Sequence, residues 1–242
     1  GWLAVEEGTG FIGEAFIEAT GGTITTVCTN FKVHTFTAPG TFSVTTAASN
    51  TACNQVSYLV VAGGGGGGEC RAGGGGAGGF REDKSPVTPY TSSPLEGAGS
   101  ISVSVADFPI TVGAGGAGGT SQANGARGSN SIFSTIISTG GGGGGGDRTA
   151  CNEHDGLPGG SGGAAANSGT KGSGNTPPVS PAQGFDGGCS TSGYTGSGGG
   201  GATAVGTTAG PCTVDGGVGG AGAATSITGS SVTYAGGGGG GG

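Results

Sequence analysis

Residues 58–68 read Tyr-Leu-Val-Val-Ala-Gly-Gly-Gly-Gly-Gly-Gly, and residues 140–146 are seven uninterrupted glycines. The first stretch joins strand-forming side chains to a run with none, and that junction recurs along the chain. Glycine blocks stand at 63–68, 73–79 (broken by Ala77), 113–119 (with Ala114 and Ala117), 140–146, 159–163 (broken by Ser161), 198–201, 216–222 and 236–242. Glycine loses more backbone freedom on folding than any other residue, so such a run is a poor α-helix and a poor isolated strand. It makes sense where backbones approach on every side. A polyproline-II-like helix turns once in three residues, has no internal hydrogen bonds and points its N–H and C=O groups sideways. Without Cβ atoms, such helices can pack together and share those groups. The predicted fold class is therefore mostly irregular and β: a small N-terminal β-sheet, then a bundle of polyglycine II helices (left-handed, three residues per turn) with connecting loops and short strands, stapled by disulfides. Ala77, Ala114, Ala117 and Ser161 are expected on the outer edges of the bundle. A bulky residue inside 140–146 is expected to be severely disruptive.

Working outward from the junction, residues 31–37 (Phe-Lys-Val-His-Thr-Phe-Thr) alternate with period two, the mark of a half-buried strand. Pro39-Gly40 supplies a turn, residues 41–45 a second strand and 56–61 a third. Strand-like pieces at 100–105, 109–112, 131–138 and 226–234 also lead into glycine blocks, and their apolar residues are expected to cap one end of the bundle with a small core. The domain reading is an acidic linker or docking arm at 1–20, a small β region at 21–61 and the glycine bundle with its loops at 62–242. The first residue is Gly1 rather than Met, which suggests a segment processed or cut from a longer protein.

Sixty-seven glycines and 10 prolines in 242 residues would ordinarily read as disorder. Disordered chains combine low hydropathy with many charges, whereas only 9% of this chain is charged and its mean hydropathy is zero. Collagen is excluded because the glycines come in blocks. A net charge of −7 with seven scattered basic residues offers no stripe for nucleic acid. No apolar stretch of about 20 residues points to membrane insertion.

Six cysteines in a chain with a meagre conventional core suggest disulfides in an oxidising, extracellular place. The preferred pairs are Cys28–Cys53, Cys70–Cys151 and Cys189–Cys212, each tying the ends of neighbouring elements; buried or free thiols are the alternative. No Cys-x-x-Cys occurs, which weakens zinc and redox readings. Cys151, Glu153, His154 and Asp155 form the one cluster suggestive of metal or catalysis, but they are adjacent in a single loop and the other histidine, His34, lies in a strand. Gly-x-x-x-x-Gly-Lys-[Ser/Thr] is absent, so the glycine runs are not phosphate loops. The reading is of a chain that is not an enzyme and carries no cofactor or metal.

Charged and aromatic residues concentrate in loops at 69–72, 80–95, 147–158, 190–195 and 207–215. Arg81, Asp83, Lys84, Tyr90, Arg148, Asn152, Glu153, His154, Asp155 and Tyr194 are the candidate receptor-binding residues, because aromatic and Arg side chains on rigidly held loops are the usual anchors of recognition. If the blocks run up and down, the loops 80–95, 147–158 and 207–215 share one end.

Several stretches carry a family resemblance: 34–42 (His-Thr-Phe-Thr-Ala-Pro-Gly-Thr-Phe), 58–68, 110–119 (Ile-Thr-Val-Gly-Ala-Gly-Gly-Ala-Gly-Gly), 175–184 (Asn-Thr-Pro-Pro-Val-Ser-Pro-Ala-Gln-Gly) and 226–236 (Ser-Ile-Thr-Gly-Ser-Ser-Val-Thr-Tyr-Ala-Gly). They resemble the glycine-rich domains of tailed-phage tail-fibre proteins, of the marine or cyanophage kind, over about residues 20–242. That family is similar to tail-fibre tip adhesins in which polyglycine II helices form a rigid sandwich with variable receptor-binding loops. The cysteines and the acidic first 20 residues are not part of the pattern. The resemblance implies a virion protein, extracellular at the fibre tip, that attaches the virion to a host cell-surface receptor, protein or glycan, and joins the rest of a tail fibre. The alternative is a structural extracellular or virion fibre component whose glycine-rich helices mediate assembly. An ice-binding bundle is a third reading, disfavoured by the irregular insertions.

Overall fold

The computed structural model describes residues 16–27, 31–147, 154–191, 195–210 and 215–242. Its regular elements are strands: β1 (Glu18–Thr20), β2 (Thr23–Val27), β3 (Phe31–Thr35), β4 (Gly40–Thr46), β5 (Gln55–Val56), β6 (Tyr58–Val61), β7 (Phe80–Asp83), β8 (Ile101–Ser102), β9 (Ala106–Thr111), β10 (Ser131–Phe133), β11 (Ile136–Ser138), β12 (Ala223–Thr225) and β13 (Val232–Tyr234). The helical content among the described residues is a single 3-10 turn, Thr51–Cys53. One antiparallel sheet has the order β1-β4-β9-β10-β11, and β12-β13, β2-β3, β5-β8 and β6-β7 pair off as two-stranded ladders. The threonine-, valine- and isoleucine-rich stretches form these ladders because branched side chains suit a pleated surface.

The main apolar core lies among these strands. Phe42, Val44, Tyr58, Val60, Ile101, Val103, Phe133 and Ile136 pack together, and the Phe133 ring meets Phe42 and Tyr58 edge-on at 6.1 Å. The expected strand 56–61 divides into β5 and β6, and β6 alternates between buried and half-buried residues.

The expectation of a disulfide-stapled bundle of polyglycine II helices is corrected. Regular structure is almost all β, in several small antiparallel sheets, and the glycine-bearing segments carry neither helix nor strand. Cys53, Cys70 and Cys189 are free; their expected partners Cys28, Cys151 and Cys212 lie outside the described residues. Strand formation wins wherever side chains alternate, and backbone hydrogen bonds do the tying expected of disulfides. Glu69 N–H reaches Ala123 O and Asp147 N–H reaches Glu69 O, both at 3.3 Å.

Backbone groups must be satisfied when buried, and in the glycine-bearing segments they are satisfied sideways. Segment 195–202 is the clearest case. Gly196, Gly199 and Ala202 donate to 235–241; Ser197 and Gly200 donate to 161–166; Gly198 and Gly201 donate to 204–209. The same segment accepts from Gly74 and Ala77, from Phe185 and Gly188, and from Gly217 and Gly220. Each neighbour is met every third residue. These bonds order the segments in rows. Segments 113–119, 62–68, 72–79, 195–202 and 204–209 form one row; 123–130, 139–146, 161–166 and 183–188 form the next; 154–160 and 169–174 lie beyond, and 216–222 and 235–241 lie on the opposite side.

Close approach, not backbone torsion, is why these segments are glycine. A Cβ on Gly199 would sit 2.0 Å from Gly75 O, and one on Gly65 would sit 2.1 Å from Gly142 O. Ala114 and Ala117 are exposed, as expected. Ala77 and Ser161 are not on outer edges: Ser161 is fully buried and its hydroxyl donates to Gly201 O at 3.2 Å.

Candidate recognition surface

The strands cluster at one end of the rows. β6 runs into 62–68, β7 follows 72–79, β9 leads to 113–119, and β10–β11 joins 123–130 to 139–146. The connections 69–72, 120–123 and 166–169 lie at the other, far end, and segments 139–146, 183–188 and 204–209 run towards that end. The expectation that 80–95, 147–158 and 207–215 share an end is therefore corrected. Residues 80–95 leave from the sheet end and the other two from the far end.

At the sheet end, Arg81 and Asp83 are buried in β7, so neither is presented as an anchor on a loop. Arg81 Nη2 donates to Ala98 O at 3.0 Å, while its Nε has no partner among the described residues. Burial pushes the Asp83 carboxyl above the usual range against a Gly99 N–H that favours the charged form, and Glu96 adds to the rise. Between them Glu82 is fully buried, accepting from Ser93 N–H at 2.9 Å and from the Thr225 hydroxyl at 2.6 Å. Tyr90 folds over this group with Lys84 Nζ 5.5 Å from its ring centre. Burial first, and then Glu82, Glu96 and Asp83, hold its phenol protonated; the hydroxyl lies beside Glu82 but out of hydrogen-bonding geometry. The Tyr58 hydroxyl donates to Gly99 O at 2.6 Å, and its pKa is raised by burial and by Asp83. This end is a packed polar junction that fastens loop 84–98 to the sheets.

The far end is built from tight turns. Cys70 and Arg71 (φ 59° and 45°), Ser121 and Gln122 (55° and 65°) and Asn167 and Ser168 (39° and 63°) are consecutive pairs in the left-handed region. Two left-handed residues in succession mark the hairpin turn whose preferred sequence is Asn-Gly. Arg71 Nε lies 3.8 Å from Asp147 Oδ2, and Gln122 N–H donates to Glu69 Oε2 at 2.5 Å. His154 Nδ1 is 3.1 Å from Gly146 O, and Asp155 Oδ1 accepts from Thr170 N–H at 2.6 Å. Further along the side, Lys171 Nζ meets Asp186 Oδ2 at 2.9 Å. The Asp186 pKa is lowered because the Lys171 ammonium and Gly174 N–H outweigh its burial.

Of the anticipated residues, the structure thus brings Arg81, Asp83, Lys84 and Tyr90 together at the sheet end and places His154 and Asp155 near the far end. Arg148, Asn152, Glu153 and Tyr194 lie outside the described residues. Among the described residues no group of three or more His, Cys, Asp or Glu could hold a metal ion, and no helix is long and apolar enough to cross a membrane. Sequence reasoning missed Asn124, Arg127 and Asn130. Asn130 Oδ1 accepts from Gly140 N–H at 2.9 Å and Asn124 Oδ1 from Gly146 N–H at 2.8 Å. Their spacing of three residues was the available signal.

Residues 37–242 match the family described as "Glycine-rich domain", and the chain belongs to that family. No curated protein and no solved structure matches it.

Proposed function

We propose that this glycine-rich domain is a receptor-binding adhesin at the tip of a phage tail fibre, with the far-end turns and loops contacting a host cell-surface receptor and the sheet end facing the rest of the fibre. The observation that carries the reading is the conformation of Cys70-Arg71, Ser121-Gln122 and Asn167-Ser168. Non-glycine residues in the left-handed region cost on the order of 1 kcal/mol or more each. A chain with 67 glycines nevertheless keeps side chains at all six positions. Single left-handed residues also occur at Ser134, Asn175 and Ala235, but among the described residues the consecutive pairs all stand at the far end, and strain doubled there on a rigid scaffold fits selection for displayed side chains. The resemblance of the strand-to-glycine junctions to tail-fibre domains supports the same reading.

The test is binding of the labelled chain to candidate host cells, compared with a variant carrying Asn-Gly at 70–71, 121–122 and 167–168. That variant is expected to fold at least as well and to lose saturable binding. Undiminished binding would overturn the assignment to these turns. A second reading, a structural fibre component, is favoured by the outermost segment. Gly236 and Gly239 are exposed, and a Cβ there would meet nothing closer than 4.0 and 3.8 Å, so glycine at those positions suits an incoming backbone.

A further inference from the structure

Among the described residues, two rows of donors face no backbone segment, that of Gly75 and Gly78 on 72–79 and one on 139–146, and beside the second stand side chains whose chemistry differs from that of the far-end turns. Segment 139–146 donates from Gly141 and Gly144 to 62–68, and from Gly142 and Gly145 to 161–166. Its third row of donors is Gly140, Gly143 and Gly146, where no backbone segment stands opposite. Asn130 and Asn124 on segment 123–130 reach across and take the N–H groups of Gly140 and Gly146. The N–H of Gly143, midway between them and buried, has no partner among the described residues. Orphaned buried N–H groups are rare and costly.

The residue midway between the two asparagines is Arg127. It lines a cleft of about 340 Å³ with Asn130, Thr139, Pro158, Thr176 and Pro177. Arg127 is exposed and has no ion pair or hydrogen bond among the described residues, in a chain whose net charge is −7. The cleft thus offers an unpaired guanidinium fork, the Asn130 amide and two threonine hydroxyls, with proline rings as apolar walls, and the unsatisfied Gly143 amide lies one three-residue period beyond its Gly140 wall.

We propose that this cleft is a binding site for a carboxylate-bearing sugar of the uronate or sialate type. The guanidinium takes the carboxylate through two parallel hydrogen bonds. The Asn130 amide and the hydroxyls of Thr139 and Thr176 take ring hydroxyls, and Pro158 and Pro177 take the C–H face of the ring. A volume of this size is at the lower end for small-molecule sites, enough for a terminal residue or a short segment of a chain. The proposal stands apart from the far-end turns and does not depend on them.

The test uses the full chain, titrated with tetragalacturonate and with an α2,8-linked trisialoside, so that a uronate and a sialate source are told apart. Methyl-esterified tetragalacturonate and a tetraglutamate peptide serve as controls, and amide shifts and calorimetry are the readouts. At least one acidic sugar is expected to bind saturably and to move the amides of Gly143 and Gly140. The esterified sugar is expected to bind ten-fold or more weakly. Arg127→Gln is expected to lower affinity ten-fold or more without changing the melting midpoint, and Arg127→Lys to recover part of it. Failure of both acidic sugars at millimolar concentration would overturn the proposal. So would equal binding of the ester, equal binding by Arg127→Gln, or tighter binding of the acidic peptide.

Discussion

Gly199→Ala and Gly64→Ala are the same chemical change at two positions that the packing makes opposite. Neither glycine has a positive φ, so alanine is compatible with the backbone at both. At Gly64 the added Cβ meets its nearest atom, Gly76 O, at 3.6 Å, an ordinary contact. There the change should act on the unfolded chain alone and stabilise by about 0.4–1 kcal/mol. At Gly199 the Cβ would lie 2.0 Å from Gly75 O and 2.5 Å from Gly75 C, where ordinary contact begins at 3.4 Å. The obstacle is backbone, so 195–202 and 72–79 must part. Parting them stretches the bonds from Gly74 N–H to Ser197 O and from Ala77 N–H to Gly200 O, each 2.9 Å now. A buried polar group left unmade costs about 1–3 kcal/mol. With two such bonds at stake and the entropic gain subtracted, the expected net loss is about 2–5 kcal/mol. For a domain of this size that lowers Tm by roughly 5–15 °C. Calorimetry of the two variants beside the parent chain is the assay. A Gly199→Ala variant within 1 kcal/mol of the parent, or a Gly64→Ala variant equally damaged, would refute the account of glycine as clearance between backbones.

Three further outcomes follow from the sheet end and the turns. Glu82→Leu should strand the Ser93 N–H and the Thr225 hydroxyl and cost about 3 kcal/mol in urea unfolding, while Glu82→Gln, which keeps an acceptor, should cost less. Asp83 has its folded pKa raised, so the stability linked to it is fully present below the ordinary carboxylate pKa and declines as pH rises through the raised value. Urea midpoints from pH 3 to 7 should show that decline flattened in Asp83→Asn, and an unchanged slope would contradict the burial argument. Changing Cys70-Arg71 to Asn-Gly should raise thermal stability by about 1 kcal/mol, read by calorimetry, since both residues leave a disfavoured conformation.

Much of the sheet end was legible in the sequence. β3 and β4 fall where period-two alternation and Pro39-Gly40 put them, and the pieces at 100–105, 109–112 and 131–138 do pair into ladders and supply apolar residues to the core, whereas 226–234 pairs only through Val232–Tyr234 and leaves Val232 exposed. The candidate site was less so. Arg81 and Asp83 read as loop charges because charge is usually exposed, but β7 continues straight from 72–79 into the buried ladder with β6. No local pattern announces that Ala98 O, Ser93 N–H and Thr225 will be waiting there.

The larger miss was the end assigned to each loop, and its cause is physical. Counting only uninterrupted glycine blocks treats every other stretch as a connection. Yet a segment needs glycine only where its Cβ would strike an inner neighbour, which for an outer segment is one residue in three. Gly125 and Gly128 would strike Gly66 O and Gly63 O, each at 2.0 Å. Gly169 and Gly172 would strike His154 O and Leu157 O, and Gly184 and Gly187 would meet Ser161 Oγ and Gly163 O, all at 2.1–2.3 Å. Segments 123–130, 169–174 and 183–188 therefore belong to the rows although they look like loops. Their positions between the glycines are free to carry asparagine, arginine, lysine and aspartate. The blocks mark the middle of the structure, and the glycines spaced by three mark its rim. It is on the rim that Asn124, Arg127 and Asn130 stand beside the empty position next to 139–146, so chemistry in this chain collects where the demand for glycine relaxes.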